Sequence, residues 1–405
     1  MSLIARRLYE FAYPLYYPGS GTERLCVVGD SHASYINGSS ERWFNGIIRT
    51  WNIRLTGWYT PAGSTLNSCI DSPNAARTIT TLTIGSTQHP TDGVIAPHEI
   101  ARHSWTGNEA TDSLIRRADW SSEEQYIRNG NYLKNQACLA RVHYWRRTNS
   151  LTTCRMRGGY TTDSYTTDST RDLSGTQGYA TIDLPIAAHA SNLHRWDCFT
   201  GAEAENTKEL TFIGHTYQAQ DPSSGVILYS VGNAGLKAED YASSTTVGDS
   251  TLWQNWSSAV TSGTGFSRII IVIGTNMTAG ESAAITTVWK ANVLSMTRKI
   301  LDAQKSIGRS GCMALLVTGH DANITSRLPD MATAMDEISA SNNDIAFLDT
   351  AALLPEFPEY NVRWLADGVH TNNVGSQFLA GIVNSMLQRD LSPGYRAVAP
   401  RRFRV

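Results

Sequence analysis

Three side chains near the two ends of the chain have the types and the spacing that nucleophilic catalysis requires. Ser31 lies in Leu25-Cys-Val-Val-Gly-Asp-Ser-His32, where an apolar run ends in Gly-Asp-Ser. Asp367 and His370 are three positions apart, so one short loop can direct a carboxylate and an imidazole at the same hydroxyl. Serine, histidine and aspartate in mutual contact convert a weak nucleophile into a reactive one. The sequence therefore predicts Ser31 as the nucleophile, His370 as the general base and Asp367 as the group that orients the imidazole.

The elements around these residues are suited to bringing them together. Residues 25–29 are predicted to form a buried strand, and the following turn would hold Ser31 at the carboxyl edge of a sheet, where α/β folds place their chemistry. Residues 373–388 are predicted to form the last helix, and His370 directly precedes it. Both motifs would therefore lie at the same edge of the sheet.

The chain resembles the SGNH (GDSL-type) hydrolases, whose four sequence blocks it contains in the family's order. The first is Gly-Asp-Ser31 and the last is Asp367-Gly-Val-His370. Between them, Leu228-Tyr-Ser-Val-Gly-Asn-Ala-Gly235 matches the glycine block and Ile269-Ile-Ile-Val-Ile-Gly-Thr-Asn276 matches the Gly-x-Asn block. The resemblance implies a serine esterase whose oxyanion hole consists of the backbone N–H groups of Ser31 and Gly235 and the side-chain amide of Asn276. It also implies that Asp30 shapes the turn and does not react.

The chain departs from the family pattern at two points. Met277 replaces the aspartate that usually follows the asparagine of the third block. Gly235 lies 204 positions after Ser31, much farther than usual. Either a domain is inserted between the two blocks, or the second block is Ala62-Gly-Ser-Thr65 and the donor is Gly63. We favour Gly235, because Val226–Val231 is the more apolar of the two preceding runs.

The order of predicted elements indicates a split α/β architecture. Five apolar strands alternate with helices, which is typical of a parallel sheet between two helical layers, a flavodoxin-like three-layer α/β/α domain; they are predicted at 25–29, 226–231, 268–274, 312–318 and 344–349. Between the first two, short β-like runs separated by turn residues favour an inserted β-sandwich; they are predicted at 78–84, 137–144, 179–184 and 209–213. The expected organisation is an arm at 1–24, a hydrolase domain at 25–70 and 225–395, an insert at 71–224 and a basic tail at 396–405. In the arm, Pro14 is expected to prevent a helix from continuing.

Other chemically active side chains have less specific settings. His32 could contact substrate or only cap the turn, and His320 and Asp321 should reach the site edge because they follow the strand at 312–318. The other histidines of the insert are expected to be surface or core residues. No cofactor and no metal site are expected, because the cysteines and histidines lack ligand spacing. Cys26 and Cys312 are predicted to be buried, whereas Cys69, Cys138, Cys154 and Cys198 could pair in any of three ways.

Composition narrows the setting of the protein. The 405 residues carry a net charge of −2, which gives no reason to expect nucleic acid as a partner. No apolar run is long enough to span a membrane. Only 17% of the residues are charged, and Ser, Thr, Gly and Asn are abundant, which favours an extracellular, periplasmic or virion-associated protein. The N-terminus has no signal-peptide pattern, and the oligomeric state stays open.

These observations favour an esterase that removes acetyl groups from a glycan or polysaccharide. The 11 tryptophans and 17 tyrosines suit sugar stacking, and the insert resembles the carbohydrate-binding modules found in some SGNH O-acetylesterases. A lipase or thioesterase would need a long apolar groove, which no segment near the four blocks indicates, and a peptidase fits the block order less well. The alternative outside enzymes is a glycan-binding, phage-tail or virion surface protein on the same fold.

Overall fold

The structure is a computed structural model. It describes residues 5–33, 43–62, 69–72, 74–83, 88, 91–119, 136–189, 194–201, 207–220, 224–243, 246–318, 326–353, 364–366 and 369–391.

A parallel sheet of six strands forms the centre of the molecule. Its strands are β2 (Thr22–Gly29), β3 (Leu55–Pro61), β14 (Gly225–Gly232), β15 (Arg268–Val272), β16 (Met313–Val317) and β17 (Ile345–Leu348). The spatial order is β17-β16-β15-β2-β14-β3, and all neighbours are parallel. The predicted parallel α/β sheet is confirmed, with β3 as a sixth strand beyond the five expected. A two-residue strand, β1 (Ala5–Arg6), pairs antiparallel with β17.

Helices cover both faces of this sheet. They are α1 (Leu8–Tyr16), α2 (Trp43–Thr50), α3 (Ala238–Ala242), α4 (Ser250–Val260), α5 (Ala279–Ala283), α6 (Lys290–Ser306), α7 (Leu328–Ser341) and α8 (Asn373–Leu391). Alternate residues of β2 enter different cores: Leu25 and Val27 pack with α1, α2 and α8, whereas Cys26 and Val28 pack with α4, α6 and α7. This alternation produces the three-layer α/β/α arrangement. Within the described residues, no helix combines the length and apolar character that crossing a bilayer requires.

The expectation that Pro14 interrupts the N-terminal helix is wrong. Pro14 lies inside α1, and it has no N–H to donate to the carbonyl of Glu10 one turn earlier. Arg268 supplies the missing donor: its Nη2 donates to the Glu10 carbonyl at 3.1 Å, and its Nε also donates to the Phe11 carbonyl at 2.8 Å. The buried guanidinium thereby stabilises a helix that proline would otherwise weaken.

The segment between β3 and β14 forms two packed antiparallel layers. One layer extends the central sheet, because β13 pairs with β3 and also with β6 and β8; its strands are β5 (Arg77–Leu82), β6 (Ile100–Trp105), β8 (Cys138–Arg146), β11 (Gly178–Ile186) and β13 (Glu209–Ala219). The other layer is a separate five-stranded sheet in the order β10-β9-β12-β7-β4; its strands are β4 (Cys69–Asp71), β7 (Leu114–Asp119), β9 (Cys154–Tyr160), β10 (Tyr165–Arg171) and β12 (His194–Thr200).

The two layers pack as a β-sandwich. Trp196 of β12 meets Phe212 of β13 with ring centroids 6.0 Å apart. The four β-like runs predicted from sequence coincide with β5, β8, β11 and β13. The first layer of the sandwich is therefore continuous with the sheet whose strands β2, β14 and β15 precede the first three sequence blocks.

The described cysteines are buried thiols. They are Cys26, Cys138, Cys154, Cys198 and Cys312. Burial raises the pKa of Cys138, and the side chain of Cys69 lies outside the described residues. None of the three possible pairings is present among the thiols that the structure describes.

Candidate active site

Ser31 lies in a turn that is fixed to the neighbouring strand by Asp30. β2 ends at Gly29, and Ser31–Ala33 form one 3₁₀ turn. The buried Asp30 carboxylate accepts the backbone N–H of His32 at 3.0 Å and those of Gly274 and Thr275 at 3.3 Å each. A carboxylate that accepts several backbone N–H groups holds both segments in one geometry. Asp30 thus joins the first block to the third, which agrees with the turn-shaping role expected for it.

Gly29 is required by the close approach of β2 to β15. Its Cα faces Val272 in the parallel register, and a Cβ at this position would overlap the Val272 carbonyl oxygen. The Asp30 N–H donates to that same oxygen at 3.3 Å. A larger residue at Gly29 would therefore displace the turn that presents Ser31.

Ser31 and His370 are in direct contact. The distance from Ser31 Oγ to His370 Nε2 is 2.9 Å, and Ser31 retains 8% exposure. This is the distance expected when a histidine takes a proton from a serine hydroxyl. Sequence reasoning thus paired two residues that are 339 positions apart.

His370 is held by a short antiparallel bridge just before α8. Leu365 and Thr371 form the bridge, and the Ala366 N–H donates to the His370 carbonyl at 2.7 Å. The Asn372 Oδ1 then accepts the Gly375 N–H at 2.9 Å in the first turn of α8. The bridge and the helix start together fix the backbone on both sides of the imidazole.

Four predicted site residues lie outside the described part of the chain. They are Asp367, Gly63, His320 and Asp321. Their roles stay predictions.

The second block follows the strand beside β2. β14 is the direct neighbour of β2, whereas β3, which precedes Gly63, is one strand farther away. Gly235 lies in the turn after β14 with a φ of +82°, a conformation that glycine adopts without strain. Asn276, the third predicted oxyanion donor, is partly buried and follows Thr275, whose N–H is bound by Asp30.

Asn233 and Tyr241, which the sequence did not predict as site residues, fix the loop after β14 to the nucleophile turn. The Gly29 carbonyl accepts the Asn233 N–H at 3.1 Å and the Tyr241 hydroxyl at 2.7 Å. The Asn233 Nδ2 donates to the Pro97 carbonyl at 2.7 Å, so the inserted segment also contacts this loop. Burial raises the pKa of Tyr241, which keeps its hydroxyl protonated as a donor. Asn233 belongs to the second block, and its position there was the one signal that could have identified it.

His32 packs against the proposed general base. It is buried, and its ring centroid lies 5.3 Å from that of His370 at an interplanar angle of 46°. Its backbone N–H donates to the Asp30 carboxylate, so the side chain that caps this turn is that of Asp30. In the described residues, no group of three His, Cys, Asp or Glu side chains could hold a metal ion.

Comparison with known proteins gives a similarity of fold. Neither a scan against protein-family models nor a search of curated proteins found a match. Among solved structures, a peptidoglycan O-acetylesterase aligns over 94% of this chain and 95% of its own, with a TM-score of 0.55 and 14% identity.

Two further esterases superpose only weakly. An acetyl xylan esterase from Butyrivibrio proteoclasticus aligns over 78% of this chain and 99% of its own, with a TM-score of 0.28 and 9% identity. A family 2 carbohydrate esterase with its carbohydrate-binding domain, from Corynascus thermopiles (Myceliophthora fergusii), gives the same coverage, a TM-score of 0.30 and 10% identity. The conclusion rests on the peptidoglycan O-acetylesterase: along nearly its whole length the chain is similar in fold to that protein, in agreement with the α/β fold that the resemblance of its four sequence blocks implies.

Proposed function

We propose that the protein is a serine esterase that removes acetyl groups from a glycan or polysaccharide. The observation that carries the proposal is the 2.9 Å contact between Ser31 Oγ and His370 Nε2 beside the carboxyl end of β2. The similarity in fold to a peptidoglycan O-acetylesterase, which spans nearly the whole chain, supports deacetylation as the proposed reaction.

In the proposed reaction Ser31 attacks the ester carbonyl and forms an acyl-enzyme. His370 accepts the hydroxyl proton through Nε2 and then gives it to the leaving sugar alcohol. A water molecule then attacks the acyl-enzyme while His370 takes its proton. The bond between the acyl carbon and Ser31 Oγ breaks, His370 returns the proton to Ser31 Oγ, and acetate leaves. Asp367 would accept the other ring N–H and stabilise the imidazolium.

The negative charge on the carbonyl oxygen is proposed to be bound by three donors. They are the backbone N–H groups of Ser31 and Gly235 and the side-chain amide of Asn276. Loss of one such donor typically lowers kcat by about 10²–10³. Asp30 and Asn233 would act by holding these segments, because their contacts join the second and third sequence blocks to the nucleophile turn.

The inserted β-sandwich is proposed to bind carbohydrate. This part of the proposal rests on its position between the first two blocks, as in O-acetylesterases with a binding module. The alternative function is a glycan-binding or virion surface protein without catalysis. The contact between Ser31 and His370 favours the enzyme, because glycan binding alone does not require a serine hydroxyl beside an imidazole.

Acyl-chain preference and polysaccharide deacetylation test the proposal together. We expect the protein to hydrolyse p-nitrophenyl acetate faster than the butyrate and octanoate esters, and to release acetate from O-acetylated peptidoglycan or acetylated xylan. A preference for octanoate would indicate a lipase. Binding of these polysaccharides with no acetate release would support the non-catalytic alternative.

A further inference from the structure

Trp364 and Phe378 form a stacked aromatic pair next to His370. Their rings are nearly parallel, with an interplanar angle of 7° and centroids 4.5 Å apart. Both side chains are partly exposed. Phe378 belongs to α8, so its ring supports one face of the indole from a regular helix.

The main chain at Trp364 is held firmly against the start of α8. Its carbonyl accepts the Asn372 N–H at 2.8 Å. A Cβ on Gly375 would overlap the same carbonyl, so glycine is needed for this approach. The position of the indole is therefore coupled to the segment that fixes His370.

The bridge brings the main chain at Trp364 close to His370. Leu365 and Thr371 form the bridge, and hydrogen bonds on its two sides join Ala366 N–H to the His370 carbonyl at 2.7 Å and Asn372 N–H to the Trp364 carbonyl at 2.8 Å. Trp364 packs in part against the core cluster that contains Leu365 and leaves the rest of its side chain exposed. The proposed general base and a partly exposed indole thus lie at neighbouring positions of one bridge.

From this placement we propose that Trp364, supported by Phe378, is a stacking surface for the pyranose ring that carries the acyl group. The inference rests on the proposed esterase function and adds a sugar subsite to it. Aromatic rings have apolar faces that suit the C–H surface of a pyranose, and a ring held by a second aromatic loses little conformational entropy when it binds. The acetyl ester would then lie over Ser31 while its sugar packs on the indole.

The test compares two acetate esters that differ in the presence of a sugar ring. Glucose pentaacetate contains an acetylated pyranose, whereas vinyl acetate has the same acetyl group and no ring. We expect Trp364→Ala to lower the ratio of kcat/KM for glucose pentaacetate to that for vinyl acetate by about tenfold, and Trp364→Phe to preserve most of it. General damage around His370 would lower both rates together and leave this ratio unchanged.

Tyr13→Ala is the matched control. Tyr13 is also an exposed aromatic side chain and packs against Tyr17 with ring centroids 5.3 Å apart, but it lies on α1, outside both the site and the insert. We expect it to keep the wild-type ratio. An unchanged ratio in Trp364→Ala, or an equal fall in Tyr13→Ala, would overturn the subsite while leaving the esterase intact. A wild-type protein that hydrolyses neither ester would overturn the proposed function and the subsite with it.

Discussion

Asp30 shows how a residue that does not react can determine whether a nucleophile is presented correctly. Its carboxylate accepts three backbone N–H groups, one in the nucleophile turn and two in the Gly-x-Asn block. Asparagine at this position would have a single acceptor oxygen, and its NH₂ group would face a backbone donor. We expect Asp30→Asn to lower kcat by about tenfold or more, because small displacements of a nucleophile are costly. The free energy of unfolding should fall by about 1–3 kcal/mol; ester kinetics and urea denaturation measure the two effects.

Asp344→Asn is the control for this substitution. The Asp344 carboxylate accepts hydrogen bonds from Arg298 Nη1 at 2.8 Å and Lys305 Nζ at 3.0 Å. Asp344 precedes β17, so it lies at the amino end of the parallel strands, whereas Ser31 lies at their carboxyl end. It should lose stability with kcat preserved. Wild-type kcat in Asp30→Asn would show that Asp30 has no part in positioning Ser31.

For individual residues, the sequence predicted the site residues that lie in recognisable motifs. It did not predict the contacts between residues that only the folded chain brings together. Ser31 and His370 were predicted because the two blocks that contain them have recognisable spacing. The partners of Asn233 were unpredictable, since Pro97 lies 136 positions away in a segment without a motif. Trp364 was also missed, because one tryptophan among 11 carries no signal until the bridge places it beside His370.

Among the elements, α8 has the most direct effect on the site because it begins three residues after His370. It packs against α2 through a close contact at Gly46, where a Cβ would overlap the Ser376 carbonyl oxygen and crowd Ala380. Alanine in a helix interior is worth roughly 1 kcal/mol over glycine, whereas overpacking costs about 1–3 kcal/mol. We expect Gly46→Ala to lower the free energy of unfolding, as measured by urea denaturation, because the clash outweighs the helix propensity.

Gly381 provides the matched comparison within α8. A Cβ there meets no atom within 4 Å, so only helix propensity changes. Gly381→Ala should raise the free energy of unfolding by about 0.5–1 kcal/mol. The same sign of change for both variants would contradict this account of the interface between α2 and α8.

The elements also show why some strands were predicted and β3 was not. Runs such as Arg268–Val272 are almost wholly apolar, as buried parallel strands require. β3 contains Thr56, Gly57 and Thr60, which weaken that pattern, yet it is buried along its whole length because β14 and β13 cover its two edges. β3 forms a strand because of its tertiary contacts with β13 and β14, and a local stretch of sequence does not reveal such contacts.

For the whole molecule, the insert and the central sheet share a core that contains neutral histidines. His98 Nε2 lies 2.8 Å from the Tyr59 hydroxyl, and His143 Nε2 lies 2.9 Å from Thr216 Oγ1; both imidazoles are buried. Burial lowers the pKa of His98 to about 4, and burial with nearby Arg141 lowers that of His143 to about 3. Histidine in an unfolded chain has a pKa of about 6.5.

These shifts predict that acid weakens the fold. Above pH of about 6.5 both histidines are neutral whether the chain is folded or unfolded, so they add no pH dependence. Between about 6.5 and 4 the unfolded chain binds more protons, so the free energy of unfolding falls as the pH falls. Each histidine contributes up to about 1.4 kcal/mol per pH unit. Urea denaturation between pH 7.5 and 4.5 measures this slope, and His143→Gln should reduce it; a flat profile would contradict the buried neutral state.

Hydrolysis of p-nitrophenyl acetate by the wild type and by Ser31→Ala tests whether Ser31 is the nucleophile. We expect turnover in the wild type and a loss of at least about 10³-fold in Ser31→Ala, because the serine hydroxyl forms the acyl-enzyme. The free energy of unfolding of the variant should stay close to that of the wild type, since only one hydroxyl is removed. Equal turnover in both proteins, or turnover in neither, would contradict a serine esterase built on Ser31 and His370.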